Sequence, residues 1–243
     1  MKLRCDLHIH SALSPCGEER MTPNNIVNMA LLAGLDLIAL TDHNTCGNCR
    51  AAMEAGKRNG LAVIPGMELT VAEEAHIVCL FPTAEDAEAF EAIVRPRRLA
   101  VKNRPEIFGR QLLLNAEDEI VGEEEDLLIP ATTIRADEVQ ELCRGCGGVA
   151  IPAHIDKPSD SLLASLGWLD PSLNFPICEV TARCDREAFV REHPELADVR
   201  FLTNSDAHDL GPIGLYEQVL DFPEKNAAAA VRALFREIHG GSA

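Results

Sequence analysis

Six of the chain's eight histidines stand at an end of an apolar run, in Asp6-Leu7-His8-Ile9-His10, Thr41-Asp42-His43, His76-Ile77-Val78, Pro152-Ala153-His154 and Ser205-Asp206-Ala207-His208. Such a chain must fold so that the ends of separate strands converge. Strand side chains alternate with a period of two, so His8 and His10 fall on one face. Neutral imidazole is the commonest nitrogen ligand for catalytic divalent metals. The pattern points to a multinuclear metal site.

The runs between these motifs read as strands over 4–10, 36–41, 62–69, 76–81, 148–154, 176–180 and 201–204. Helical segments separate them. Thr22 and Pro23 give an N-cap followed by proline at the first helical position, with Gly34 as the stop. Thr83 to Asp86 opens a helix over 84–94 in capping-box fashion. Further helices are expected near 48–59, 136–143, 159–166, 186–193 and 224–238. Alternation of this kind implies an α/β fold with parallel strands and crossover helices. A doubly wound open sheet gathers ligands at one crevice, whereas a barrel gathers them from every strand end. The expected architecture is a distorted (β/α) barrel.

Of the 243 residues, 47% are hydrophobic and 25% charged, which suits one domain with a sizeable core. The N-terminus lacks the apolar core of a signal peptide, and no stretch approaches the ~20 apolar residues of a membrane span. A cytoplasmic protein without a membrane partner is expected. The formal charge of -17 argues against a long nucleic-acid footprint, which needs many Lys and Arg. It leaves room for a small phosphorylated substrate, because bound cations invert the local field.

Residues 95–133 break the strand-helix rhythm. They open with a basic patch (Arg95, Arg97, Arg98, Lys102, Arg104) and pass through the acidic run Glu117 to Asp126. We expect a barrel over 1–94 and 134–243 with 95–133 inserted near its mouth, either as a cap or as a plain surface excursion. Nine cysteines without a signal peptide fit free thiols or metal chemistry better than disulfides. Cys5, Cys79 and Cys178 read as buried small hydrophobes. Cys46 with Cys49, and Cys143 with Cys146, have metal or redox spacing.

Glu68, Glu179 and Asp206 also end apolar runs, where an unpaired buried charge is costly and a bound cation would remove the cost. Taken in order, Asp-Leu-His-Ile-His-Ser, Thr-Asp-His-Asn, Gly-Met-Glu-Leu, Ala-His-Ile-Val, Pro-Ala-His and Asn-Ser-Asp-Ala-His resemble the polymerase and histidinol phosphatase (PHP) superfamily from Asp6 to His208. The resemblance implies a distorted seven-stranded (β/α) barrel and a metal-dependent phosphoesterase with two or three divalent ions (Mn, Fe or Zn). It implies that His8, His10, Glu68 and Asp206 hold one ion, that Glu68 bridges to a second held by His76 and His154, and that His43 and His208 hold a third. Asp42 would orient its neighbour through a hydrogen bond. Many relatives add an Asp or His about five residues after the His-x-His pair. Pro15 stands there, so Cys16, Glu18 or Glu19 would have to substitute. Cys16 could instead meet Cys46 and Cys49 above the mouth.

The function this implies is hydrolysis of a small, nucleotide-like phosphomonoester by a hydroxide that the ions generate. Asp206 and His208 are the candidates for protonating the leaving group. Arg183 is the leading phosphate-binding candidate, with Arg135 and Lys157 behind it. Histidinol phosphatase shares the same metal site. A 5′-3′ exonuclease on short oligonucleotides would need the Arg95 to Arg104 patch as a phosphate track. Amide hydrolysis fits poorly, because Glu68 stands where that class uses a carboxylated lysine. A metal-bound regulatory domain is the non-enzyme alternative.

Overall fold

The apolar runs become strands, and the ends that carry histidine and carboxylate face one another. The computed structural model describes residues 1–216 and 218–240. In chain order it contains β1 (Lys2–Ile9), α1 (Pro23–Leu32), β2 (Leu37–Leu40), α2 (Cys49–Asn59), β3 (Ala62–Thr70), β4 (His76–Leu80), α3 (Ala84–Val94), α4 (Pro105–Phe108), β5 (Leu112–Leu114) and β6 (Ile120–Glu123). These are followed by α5 (Ala136–Gly145), β7 (Val149–Pro152), α6 (Leu162–Leu166), β8 (Ile177–Glu179), α7 (Arg186–Glu192), β9 (Arg200–Leu202), β10 (Val219–Asp221) and α8 (Ala227–His239).

Six strands form one curled sheet in the order β10-β1-β2-β3-β4-β7, and β8 pairs with β9 in parallel beside it. Single backbone bonds tie the two sheets together. Ile155 N–H donates to Glu179 O at 2.8 Å, and His10 N–H donates to Ala207 O at 3.0 Å. The architecture is α/β and consistent with a distorted barrel.

The expectation of parallel strands throughout is corrected at two places. β4 runs antiparallel to both β3 and β7, and β10 runs antiparallel to β1. Only residues 71–75 separate β3 from β4, enough for a turn closed by Val71 N–H to Ala75 O at 2.9 Å and too few for a crossover helix. The reversal carries a benefit for the site. His76 pairs with Thr70 at the start of β4, so it lies at the same edge as the C-terminal ends of β1, β2 and β3. β10 was invisible in the sequence, since only Leu220 of its three residues is buried.

Local signals acted as read. The Thr22 and Thr83 side chains accept from the N–H groups of Asn25 and Asp86, and Pro23 occupies the first helical position. Helix α8 fills the end of the curled sheet away from the histidines. Its Ala230, Val231, Leu234 and Ile238 pack with Leu3, Cys5, Leu37, Ile64, Val78, Val149 and Ile177 in one buried cluster. A second, larger cluster lies between the sheet and helices α1, α2, α3 and α5. Cys5, Cys79 and Cys178 are buried within these clusters.

Residues 95–133 contain α4 and the β5–β6 hairpin, which sequence reading left unassigned. The basic and acidic halves neutralise each other. Arg98 pairs with Glu124 at 3.5 Å, Lys102 with Glu125 and Asp126 at 3.0 Å, and Arg110 with Glu123. Arg97 pairs instead with Glu138 of α5 at 2.9 Å. The hairpin packs Leu112 and Leu114 against Ala12, beside the loops that follow β1 and β2.

Candidate metal centre

Glu68 lies at the focus of the site. It is fully buried near the end of β3, and five imidazoles point nitrogen atoms at it. His8 Nε2, His76 Nδ1 and His154 Nε2 lie 3.2, 3.0 and 3.2 Å from Oε1. His43 Nδ1 and His10 Nε2 lie 3.1 and 3.3 Å from Oε2. Asp206 Oδ1 closes the group at 3.5 Å from His8 Nε2 and 3.3 Å from His10 Nε2. Glu68, His43, His76, His154, Asp206 and His208 line a basin of about 120 Å³.

The surroundings fix which nitrogen of each ring carries hydrogen. His8 donates from Nδ1 to Glu179 at 3.1 Å, and His10 donates from Nδ1 to Ser14 Oγ at 2.9 Å. Both Nε2 lone pairs are thereby left bare, and they face each other at 3.2 Å. Two lone pairs at that separation need a cation or a proton between them. His43 Nδ1, Glu68 Oε2 and Asp206 Oδ1 are buried without a hydrogen-bond partner in the same space. A buried donor set of imidazole and carboxylate, with orphaned atoms converging, fits divalent ions.

Three groups have donor atoms within 4.8 Å of one another: His8, His10, Glu68 and Asp206; His43, Glu68 and His76; and His10, His43 and His208. The first is the set that the resemblance implies. In the second, His43 stands where His154 was expected, while His154 touches the same Glu68 oxygen as His76. The third adds His10 to the expected His43 and His208.

Electrostatics follow from this crowding. Burial opposes a charge on His8, but Glu179, Glu68 and Asp206 outweigh it and hold its pKa well above the usual value. His10 is buried too, and the Asp206 and Glu68 carboxylates beside it push it up to about 9. Burial and the neighbouring imidazoles hold His43 well below its ordinary value and bring His208 down to about 4. Burial works against the Glu68 carboxylate, yet His76, His8 and His43 keep it ionised. Asp206 is likewise held low against burial by His8 and His10. At neutral pH both Asp206 and His208 are thus electron-pair donors. That state suits ligation.

Backbone strain accompanies two of the donors. His154 and Asp206 have φ of 32° and 50°, the left-handed region that costs a non-glycine residue on the order of 1 kcal/mol or more.

Several expected roles change. Glu179 faces away from the basin, accepting from His8, from Asn204 Nδ2 at 2.7 Å and from His154 N–H at 3.3 Å. It braces ligands and needs no ion of its own. Asp42 does not hold its neighbour His43. Its oxygens accept from Ser11 N–H, Ser11 Oγ and Ser14 Oγ, each at 2.7 Å, so it acts on His10 through Ser14. Glu18 and Glu19 point into exposed ion pairs with Arg20 and Arg110. Cys16 is exposed and outside the three donor groups. The proposed meeting of Cys16, Cys46 and Cys49 does not occur. Cys46 donates to Glu91 at 2.9 Å, Cys49 points to backbone carbonyls, and both are buried free thiols.

A cleft of about 450 Å³ opens beside the basin, sharing His154, Lys157 and Asp206 with it and continuing to Thr181, Arg183, Asn204 and Tyr216. Lys157 donates to Asp206 Oδ2 at 2.7 Å. Arg183 is exposed on the cleft and forms no ion pair among the described residues. Arg135 is not there. It lines a separate depression with Glu73 and Trp168 and is paired with Asp137 at 3.2 Å. Nor does any residue of 95–133 line the basin or the cleft. Ser14 and Asn204 were missed, because single polar residues in loops carry no periodic or spacing signal.

Comparison with known proteins places this arrangement. Residues 6–126 match the family model for the PHP domain. The uncharacterized protein YqxK of Bacillus subtilis (strain 168) is 27% identical over 92% of this chain and 60% of its own length. A 3′,5′-nucleoside bisphosphate phosphatase of Chromobacterium violaceum is 34% identical over 73 residues, 30% of this chain and 25% of its own. The lesion-specific endonuclease PfuEndoQ from Pyrococcus furiosus shares the fold, with a TM-score of 0.70 at 20% identity, covering 96% of this chain and 56% of that one. The chain therefore spans little more than half the length of the relatives that it matches along most of its own length. On the match over Asp6 to Asp126, which holds Glu68, His8, His10, His43 and His76, the chain belongs to the PHP domain family.

Proposed function

We propose that the protein is a metal-dependent phosphoesterase that hydrolyses a small, nucleotide-like phosphomonoester. The observation that carries this reading is the bare donor set around Glu68 opening directly into a cleft with a free guanidinium. Mn, Fe or Zn ions held by His8, His10, His43, Glu68, His76, His154, Asp206 and His208 would supply charge for phosphate oxygens and a water acidic enough to ionise near neutral pH. The chain's own residues do the rest. Glu179 and Ser14 hold His8 and His10 with Nε2 inward. Arg183 binds the outer phosphate oxygens, Lys157 screens Asp206 from the anionic substrate, and Tyr216 offers an aromatic face to a base.

We further propose that β1, β2, β3, β4, β7, β8 and β9 make up a distorted seven-stranded barrel over 1–94 and 134–243, with 95–133 inserted. Two ions are the minimum and the His10, His43 and His208 group would hold a third. A cytoplasmic location and a partner set without long nucleic acid or membrane complete the proposal. It is supported by the net charge of -17 and by the ion pairs that engage Arg95, Arg97, Arg98 and Lys102, four of the five cations of the Arg95 to Arg104 patch. Those pairs also weigh against the exonuclease track.

The test is phosphate release by Mn-loaded protein against a chelated control. The substrates are 3′,5′-bisphosphonucleosides, AMP, histidinol phosphate, a 5′-phosphorylated oligonucleotide and a lesion-bearing duplex. Chelator-sensitive release from one small ester is expected. Cleavage of the oligonucleotide or the duplex alone would replace the reading with a nuclease, and metal binding with no hydrolysis at all would favour a regulatory domain.

A further inference from the structure

An unbroken line of buried hydrogen bonds joins metal-type His10 to the β5–β6 hairpin. Ser14 Oγ spends its one hydrogen on Asp42 Oδ1, so it can only accept from His10 Nδ1. Ser11 Oγ likewise donates to Asp42 Oδ2 at 2.7 Å and accepts from Asn48 Nδ2 at 2.9 Å. Asn48 uses its second amide hydrogen on Leu112 O at 3.0 Å and accepts from Leu114 N–H at 2.9 Å. His10, Ser11, Ser14, Asp42 and Asn48 are all fully buried. The two directions of donation converge on Asp42, and each group's role is fixed by its neighbour.

The hairpin is held to this line at other points as well. Leu112 N–H donates to Ala12 O at 2.8 Å. The tips of Leu113 and Leu13 meet over Gly47, where a Cβ would come within 2.8 and 2.9 Å of their Cδ2 atoms. One residue beyond His43, Asn44 donates to Leu128 O at 2.6 Å and Pro130 O at 3.0 Å.

We infer that the inserted hairpin is part of the machinery that sets the metal centre, with Asn48 as a positioning residue that acts on His10 through Ser11, Asp42 and Ser14; this rests on the reading of His10 as a ligand. The hairpin fixes the Asn48 amide, the amide fixes Ser11, and the two serines pin the carboxylate that orders the His10 ring. Deforming the hairpin turns the ring and shifts Nε2 relative to Glu68 and Asp206.

The test uses the full chain and four variants: Ser14→Ala, Ser11→Ala, Asn48→Ala and the Ser11→Ala/Ser14→Ala double. Each is titrated with Co²⁺ and with Mn²⁺ by calorimetry, its Co²⁺ visible spectrum is recorded, and the metal-free form is melted. Ser14→Ala should weaken the tightest ion by about 10–100-fold, the usual cost of losing a ligand's hydrogen-bond partner. Ser11→Ala and Asn48→Ala should weaken it in the same sense by up to about tenfold and alter the Co²⁺ spectrum. The double variant should bind no worse than Ser14→Ala, because cutting one line twice adds nothing. Ser11→Ala and Asn48→Ala variants that melt earlier but keep wild-type affinity and spectrum would overturn the inference, leaving Asn48 a structural support. If Asn48→Ala does not fold, Ser11→Ala decides alone, since it loses one oxygen and keeps its backbone bond to Asp42. Wild-type protein that takes up neither ion would instead overturn the metal-centre reading beneath it.

Discussion

Glu68 and the two bare Nε2 atoms of His8 and His10 set the chemistry at the scale of single residues. His10→Ala or Asp206→Ala should abolish metal-dependent turnover while leaving the far-ultraviolet circular dichroism close to wild type. Near-normal turnover in either variant would remove the proposed site. The same atoms give the metal-free protein a pH signature. His10 is raised from 6.5 to about 9 on folding, so its contribution to stability is complete below pH 6.5 and is lost as pH rises through 9. His208, brought down to about 4, acts in the opposite sense, costing stability as pH falls below 6.5. Melting of chelated protein should therefore be highest near neutrality and decline toward pH 9, with the alkaline decline absent once Mn²⁺ replaces the proton. A flat profile from pH 6.5 to 9 without metal would contradict the lone-pair geometry. Most ligand candidates could be read directly, because histidine and carboxylate at strand ends are rare combinations. The braces could not. Glu179 looks like a ligand in sequence, and only its distance to His8 Nδ1 and Asn204 shows that it stands behind the ring.

At the scale of elements, seven strands and most helices follow from period-two and capping signals. The signals say little about direction, which is why β4 was misread as parallel. The five-residue spacer 71–75 held that information, since no crossover fits in it. Helix α8 carries another consequence of patterning. Its Leu234 is fully enclosed at the sheet's filled end, so Leu234→Ala should cost about 2–5 kcal/mol in denaturant unfolding with little change in metal affinity. Gly47→Ala should do the reverse in kind. The added carbon displaces the Leu113 and Leu13 tips between the hairpin and the loops after β1 and β2, and a small fall in metal affinity should accompany the loss of stability. Equal metal affinity in Gly47→Ala and wild type would separate the hairpin from the site.

For the molecule as a whole, folding and metal uptake share the same atoms. Ions binding only the folded chain stabilise it by mass action, about 2.7 kcal/mol at a hundredfold excess over Kd. For a chain of this length that corresponds to a rise in Tm of about 5–10 °C, reversed by chelation. The net charge was legible from composition. What composition could not show was that the basic and acidic halves of 95–133 cancel each other locally.

Helix α8 also makes the curled sheet a vessel closed at its base. Whatever reaches the ions must enter and leave on the histidine side, past Lys157 and Arg183. Inbound ester and outbound phosphate would then share one passage, and a guanidinium that welcomes the first also detains the second. Turnover should slow as inorganic phosphate accumulates, in competition with substrate, and Arg183→Ala should relieve that traffic while weakening capture.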